Sequence, residues 1–175
     1  MLIEALVHVW RPPQGGTTPT MSLQNTTTVT RTVNAPAEAV WKVLADGWSY
    51  ATWVVGASRI RAVDHEWPAV GSQIHHSVGL WPALINDSTE VLSSEAPREM
   101  VLKARAWPAG AAQVRVTIEP QGPATCTLRI EEDATSGPAQ LMPKPARQAM
   151  IHPRNVEALR RLALIAEGRH QDPTR

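Results

Sequence analysis

Residues 146–168, ARQAMIHPRNVEALRRLALIAEG, have the apolar spacing of one long helix near the end of the chain. One apolar face is predicted from residues that recur three or four positions apart, namely Val156, Leu159, Leu162, Ala163 and Ala166. Pro153 is expected to kink this helix or to mark its first firm turn, because proline removes a backbone donor. Gly168 is expected to end it.

The segments before this helix have a different periodicity. Six of them alternate between apolar and polar residues, as is typical of strands with one buried face: 58–66, 72–80, 83–93, 100–107, 112–120 and 124–133. Short turn sequences such as WPAVG, WPAG and PQGP separate these segments. Because parallel strands need long crossovers, the short connections predict an antiparallel meander. Residues 134–145, with three prolines, are expected to form a loop before the helix.

The first part of the domain adds a strand and two short helices. Residues 25–34, NTTTVTRTVN, predict the first strand, and Asn34 with Pro36 predicts the start of the first helix. A second short helix, WSYATWVV, follows Gly47. The whole pattern predicts an α+β fold, in which a curved seven-stranded antiparallel sheet wraps the terminal helix and encloses an apolar pocket.

The chain is expected to hold one domain, at residues 21–170, followed by a tail at 171–175. Residues 1–20 are interpreted as an N-terminal extension or linker that need not belong to the native protein. Their apolar start is too short to cross a bilayer and lacks the basic residues of a secretory signal, so no integral membrane segment is expected.

Composition restricts the possible partners. Seventeen Lys and Arg against sixteen Asp and Glu give a net charge of +1, which argues against nucleic acid as a partner. Cys126 is the single cysteine, so no intramolecular disulfide can form and a reducing, cytoplasmic location is expected. No phosphate loop or dinucleotide motif occurs, and the adjacent His75 and His76 point to opposite faces of a strand. We therefore expect no cofactor and no metal.

Five stretches carry a resemblance to a known superfamily. They are VNAPAEAVWKVLADGWSYATWVVG at 33–56, WPAVGSQIHHSVGLWP at 67–82, TEVLSSEAPREMVLKARAWP at 89–108, TLRIEED at 127–133 and HPRNVEALRRLALIAEG at 152–168. On these the chain resembles the helix-grip (SRPBCC, START/Bet v 1-like) superfamily of pollen allergens, START lipid-transfer domains and polyketide cyclase/dehydrase-like proteins. Within it, the chain is similar to an actinobacterial-type branch of the polyketide cyclase/dehydrase-like proteins. The resemblance spans residues 25–168 and implies the fold more strongly than an activity.

His76 is the candidate catalytic residue. Alternation along its strand places it inward with Ile74, Val78 and Leu80, while His75 faces the other way. A neutral imidazole among apolar side chains could orient a ligand carbonyl or act as a general acid or base. The alternative is a core histidine that bonds to a neighbouring side chain.

The expected ligand-binding residues line the concave face of the sheet, the second short helix and the last helix. They are Trp48, Tyr50, Trp53, Ile74, His76, Val78, Asn86, Leu102, Val116, Leu128 and Leu159. The pattern does not fix which face of the strand containing Asn86 is inside, so Asn86 either pairs with His76 or faces water. For the aromatic residues, core packing is an alternative to ligand contact. Arg154 is expected to pair with Glu131 or Glu132, or else to neutralise a ligand carboxylate.

Three functions are consistent with these observations. The leading hypothesis is non-catalytic binding of a small hydrophobic molecule, such as a lipid, an isoprenoid or a polyketide-like compound. The second is a polyketide cyclase or dehydratase-like enzyme that works without metal by acid–base chemistry at His76. The third is a protein-interaction module whose cavity has collapsed.

Overall fold

The fold is a seven-stranded antiparallel sheet packed on a long C-terminal helix, in a computed structural model that describes residues 26–79, 81–106, 108 and 110–172. The strands are β1 (Thr27–Val33), β2 (Ala57–Val63), β3 (Gln73–Val78), β4 (Ile85–Glu95), β5 (Glu99–Ala106), β6 (Gly110–Gly122) and β7 (Thr125–Ser136). The helices are α1 (Ala37–Leu44), α2 (Tyr50–Trp53) and α3 (Lys144–Gln171), with short 3₁₀ turns at Gly47–Ser49 and Pro138–Leu141. The predicted α+β helix-grip architecture is confirmed.

Strand order explains how the sheet meets the helix. The order is β1-β7-β6-β5-β4-β3-β2, so the chain's first strand joins its last strand while β2 begins the opposite edge. The segment containing α1 and α2 makes this crossing, and both helices contact α3. Register irregularities interrupt the β2/β3, β4/β5 and β6/β7 ladders, and such bulges bend a sheet. The inward side chains of the strands, α1 and α3 form one continuous core.

The last helix is longer than the sequence predicts. It begins at Lys144, so Pro153 lies inside it and does not form its first turn. It also continues past Gly168 to Gln171, and the Arg169 side chain in this last turn donates a hydrogen bond to Asp46 Oδ2 at 3.0 Å. The predicted loop at 134–145 is also wrong, since β7 extends to Ser136 and a 3₁₀ turn precedes the helix.

The buried face of α3 contains four of the five predicted residues, Leu159, Leu162, Ala163 and Ala166, but not Val156. Val156, predicted to be inward, is 41% exposed, whereas its neighbour Asn155 is only 2% exposed. Asn155 lies four residues before Leu159 and seven before Leu162, which is the i, i+4, i+7 spacing of one helical face. The prediction failed here because a polar residue occupies a buried position.

Some predicted features lie outside the described residues: the extension at 1–20, the side chains of Leu80 and Trp107, and residues 173–175 of the tail. The part of the tail that is described, Gln171 and Asp172, ends and caps α3. None of the helices in the described part of the chain combines the length and the apolar character needed to span a membrane.

Candidate functional site

A cavity of about 120 Å³ lies between the sheet, α2 and the middle of α3. Most of its lining is apolar, and the polar members are His76, Arg105, Glu132, Arg154, Asn155 and the Tyr50 hydroxyl. The apolar members come from five strands and two helices, together with the α2–β2 connection: Trp53, Val54, Val55, Ala57, Val78, Leu102, Ala104, Ala112, Val114, Ile130 and Ala158, alongside Gly56. Such a lining, with a few polar groups, is what small-molecule sites have in common.

A chain of three buried side chains runs along one wall of this cavity. The Tyr50 hydroxyl lies 2.8 Å from Thr89 Oγ1, and the same Thr89 oxygen lies 3.0 Å from His76 Nε2. Tyr50 comes from α2, His76 from β3 and Thr89 from β4, so the chain links three elements. The rings of Tyr50 and His76 also lie face to face at a tilt of 32°, with centroids 5.2 Å apart.

Burial determines the protonation of both ring side chains. Desolvation lowers the pKa of His76 below 6.5, with the charge of Asp87 opposing the shift and those of Arg61 and His75 adding to it. Desolvation raises the pKa of Tyr50 to about 12. Near neutral pH the site therefore holds a neutral imidazole and a protonated phenol.

The cavity lining also includes an ion pair and an amide. Arg154 on α3 bonds to Glu132 on β7, which is the pairing expected from the sequence. Glu132 is 4% exposed, while about two-fifths of the Arg154 side chain reaches solvent. Asn155, next to Arg154, points to the sheet side of α3 and lines the cavity.

Two polar atoms of cavity-lining residues have no hydrogen-bond partner among the described residues. They are His76 Nδ1 and Asn155 Nδ2. Such orphans are uncommon, because a buried donor or acceptor without a partner costs about 1–3 kcal/mol. Only two other buried side-chain atoms in the described part of the chain share this condition, Thr27 Oγ1 and Arg129 Nε, and neither residue lines the cavity.

Five of the predicted ligand-binding residues line the cavity: Tyr50, Trp53, His76, Val78 and Leu102. Four others, Ile74, Val116, Leu128 and Leu159, are at most 1% exposed and pack in the core outside the lining. Trp48 is 63% exposed and borders a separate surface depression that includes Trp67.

Asn86 and Thr89 show which face of β4 is inside. Ile85, Asp87, Thr89 and Val91 face the core side, whereas Asn86 is exposed and accepts a hydrogen bond from Ser77 Oγ at 3.0 Å. The pairing of Asn86 with His76 is therefore not formed, since His76 lies opposite Asp87 in the ladder. Sequence reasoning missed Thr89 because the run Ile85, Asp87, Thr89, Val91 mixes apolar and polar residues.

Metal ligands do not assemble in this part of the molecule. Within residues 26–79, 81–106, 108 and 110–172, no three His, Cys, Asp or Glu side chains are grouped so that they could hold an ion. Cys126 lies buried in the core, where desolvation raises the pKa of its thiol.

Solved structures with the same fold come from several bacteria. The Zhui aromatase/cyclase from Streptomyces sp. R1128 is 18% identical, with a TM-score of 0.63 over 85% of this chain and 97% of that one. A START superfamily protein from Mycobacterium smegmatis is 22% identical, with a TM-score of 0.57 over 85% and 99%. A protein from Arthrobacter aurescens is 15% identical, with a TM-score of 0.64 over 82% and 87%. At these identities the likeness establishes the fold alone.

Sequence comparison identifies the family. No curated protein matches the chain. The family model described as "polyketide cyclase / dehydrase and lipid transport" matches residues 24–167, which include all seven strands and all but the last turn of α3. The chain therefore belongs to the polyketide cyclase/dehydrase and lipid transport family.

Proposed function

We propose that the protein binds a small hydrophobic molecule, of the lipid, isoprenoid or polyketide-like class, in the cavity between the sheet and α3. The observation that carries the proposal is the mostly apolar hollow of about 120 Å³. A protein-interaction module with a collapsed cavity would not need this hollow. An apolar cavity of about 150 Å³ is large enough to bind benzene, so this volume suits one ring or a short branched chain.

The volume also limits how a larger ligand is held. One ring buries about 150 Å² of apolar surface, which is worth about 4 kcal/mol and corresponds to roughly millimolar affinity before other contacts are added. A larger ligand therefore places one ring inside and rests the remainder at the cavity's rim, where Arg105 and the partly exposed Arg154 lie.

Ligand binding is tested with two adjacent alanines of β6. Ala112 lines the cavity and Ala111 does not. Ala112→Leu should fill part of the hollow and abolish the rise in melting temperature that one-ring hydrocarbons such as ethylbenzene give the native protein. Ala111→Leu is the matched control and should keep that rise, because it adds the same side chain to the same strand outside the lining.

Two measurements on the unchanged protein would contradict the proposal together. One is native mass spectrometry of the chain purified from its own host, with no small molecule attached. The other is the absence of thermal stabilisation by a panel of one-ring hydrocarbons, short lipids and polyketide fragments at millimolar concentration.

A second function, acid–base catalysis on a carbonyl-bearing ligand, is favoured by the neutral imidazole of His76 at the cavity wall. In this case His76 moves a proton to or from the carbon next to the ligand carbonyl. His76→Phe should then abolish turnover of a polyketide-like β-diketone substrate while its affinity stays within about tenfold of the native value. Unchanged turnover in this variant would remove His76 from the chemistry and leave binding as the function.

A further inference from the structure

The two unpartnered polar atoms at the cavity indicate what kind of hydrophobic ligand fits there. His76 Nδ1 belongs to the sheet and Asn155 Nδ2 to α3, so two different elements that line the hollow each contribute one such atom. A purely hydrocarbon ligand would leave both atoms without a partner, at the cost that buried polar groups incur. The two atoms therefore indicate that the ligand carries a polar group in addition to the apolar part that the lining accommodates.

The hydrogen-bond chain through Tyr50 and Thr89 indicates which ring nitrogen of His76 carries the proton. The Tyr50 phenol is protonated, and Thr89 Oγ1 is the hydrogen-bond partner of its hydroxyl. If Tyr50 donates to Thr89, the Thr89 hydroxyl is free to donate to His76 Nε2. A neutral imidazole that accepts at Nε2 carries its single proton on Nδ1. In this arrangement the hydrogen-bond chain leaves an N–H donor at His76 Nδ1. The side-chain nitrogen of Asn155 is also an N–H donor.

We propose that the natural ligand carries a hydrogen-bond acceptor, most simply a ketone or other carbonyl oxygen beside its apolar ring or chain, which is held by His76 Nδ1–H and Asn155 Nδ2–H. This inference rests on the proposed ligand-binding function. Both atoms are shut off from solvent in the structure, so each N–H has to turn toward the cavity to meet the acceptor, and the broad energy wells of the outer His and Asn torsions permit such a rotation. A water molecule can satisfy the same donors in the free protein, and the carbonyl oxygen replaces it on binding.

Thr89 and Tyr50 act as positioning residues in this scheme. Neither touches the carbonyl: Thr89 holds Nε2 as an acceptor, and Tyr50 directs the Thr89 hydroxyl toward it. Thr89→Val keeps the shape of the side chain but removes the donor, so the Nδ1 proton is no longer enforced.

The test compares acetophenone with ethylbenzene, which have the same ring and differ in the carbonyl. Affinities for the full chain are measured by calorimetric titration. His76→Phe and Asn155→Leu should each weaken acetophenone binding by about tenfold while ethylbenzene binding stays the same or tightens, because one hydrogen bond to the ligand is lost. His75→Phe and Asn86→Leu are the matched controls, since neither residue lines the cavity, and they should leave the ratio of the two affinities unchanged.

A measurement on the unmodified protein makes the outcome independent of how the variants fold. Nitrogen-15 NMR of the histidine rings should show the His76 proton on Nδ1, and acetophenone but not ethylbenzene should shift that nitrogen's resonance. One contrary result is that both ligands bind the native protein, while the variants leave the ratio of the two affinities unchanged and acetophenone does not shift the Nδ1 resonance. This result would overturn the acceptor proposal and leave the proposed ligand binding in place. If neither ligand binds the native protein, the proposed function fails and the acceptor proposal fails with it.

Discussion

His76 couples the stability of the fold to pH. Its pKa is lowered in the folded protein because burial disfavours the charged imidazole, and Asp87, Arg61 and His75 are the charged or titratable groups that modify this shift. The unfolded chain therefore binds the proton more readily than the folded protein does, and stability falls as pH drops below about 6.5.

We expect His76→Phe to flatten this pH dependence. Between pH 7 and pH 5 the native protein should lose more unfolding free energy than the variant, with a difference in slope of at most about 1.4 kcal/mol per pH unit. Urea denaturation at several pH values measures both slopes. Equal slopes would show that His76 does not stay neutral in the fold.

Within the Arg154–Glu132 ion pair, leaving the glutamate without its partner should cost more stability than leaving the arginine without its partner. The carboxylate is buried whereas the guanidinium is partly exposed, so removing the arginine leaves a buried negative charge without its partner. Arg154→Met should lower the free energy of unfolding by about 1–3 kcal/mol, and Glu132→Gln by less, because it removes the charge itself.

Arg160→Met provides the control for this pair of variants. Arg160 also pairs with a glutamate, Glu157, on the same helix, but the pair is exposed to solvent. The denaturation midpoint of the Arg160→Met variant should match that of the native protein. If Arg154→Met behaved like Arg160→Met, the buried carboxylate would have to be satisfied without its arginine.

At the level of elements, the sequence predicted α3 and the strands well but not every inward face. Apolar periodicity placed all seven strands and the helix, because burying one face of each element dominates the pattern. Apolar periodicity wrongly predicted that Val156 faces inward, and it did not decide which face of β4 is buried. In both places a polar residue, Asn155 or Thr89, occupies a buried position, so the apolar pattern does not mark the inward face there.

The buried face of α3 predicts that two of its leucines contribute differently to stability. Leu162 is fully buried and Leu164 is 50% exposed, although they lie two positions apart. Leu162→Ala should cost about 2–5 kcal/mol of unfolding free energy, since it opens a cavity in the core, and Leu164→Ala should cost less than about 1 kcal/mol. Chemical denaturation of the two variants gives the comparison. Similar losses at both positions would mean that α3 is rotated relative to the sheet from the orientation described.

Across the whole molecule, the space between sheet and helix is hollow in one part and filled in another. The cavity lies beside Val114, Ile130 and the stretch of α3 from Arg154 to Ala158. Farther along the same strands, Val116 and Leu128 pack tightly with the core. Alternation along β6 and β7 predicts that Val114, Val116, Leu128 and Ile130 all face inward. It cannot tell hollow from filled, because that depends on how side-chain volumes from different elements add up.

The boundary between the two parts lies on β6, where Val114 lines the cavity and Val116 does not. Val114→Ala should enlarge the hollow, so that a two-ring ligand such as naphthalene gains about tenfold in affinity relative to benzene. Val116→Ala is the matched control: it removes the same two methyl groups from the same strand and should destabilise the fold without changing this preference. Fluorescence or calorimetric titration with both hydrocarbons measures the ratio. An equal change in both variants would show that the filled part opens as readily as the hollow part, and that the ligand is not confined to the described cavity.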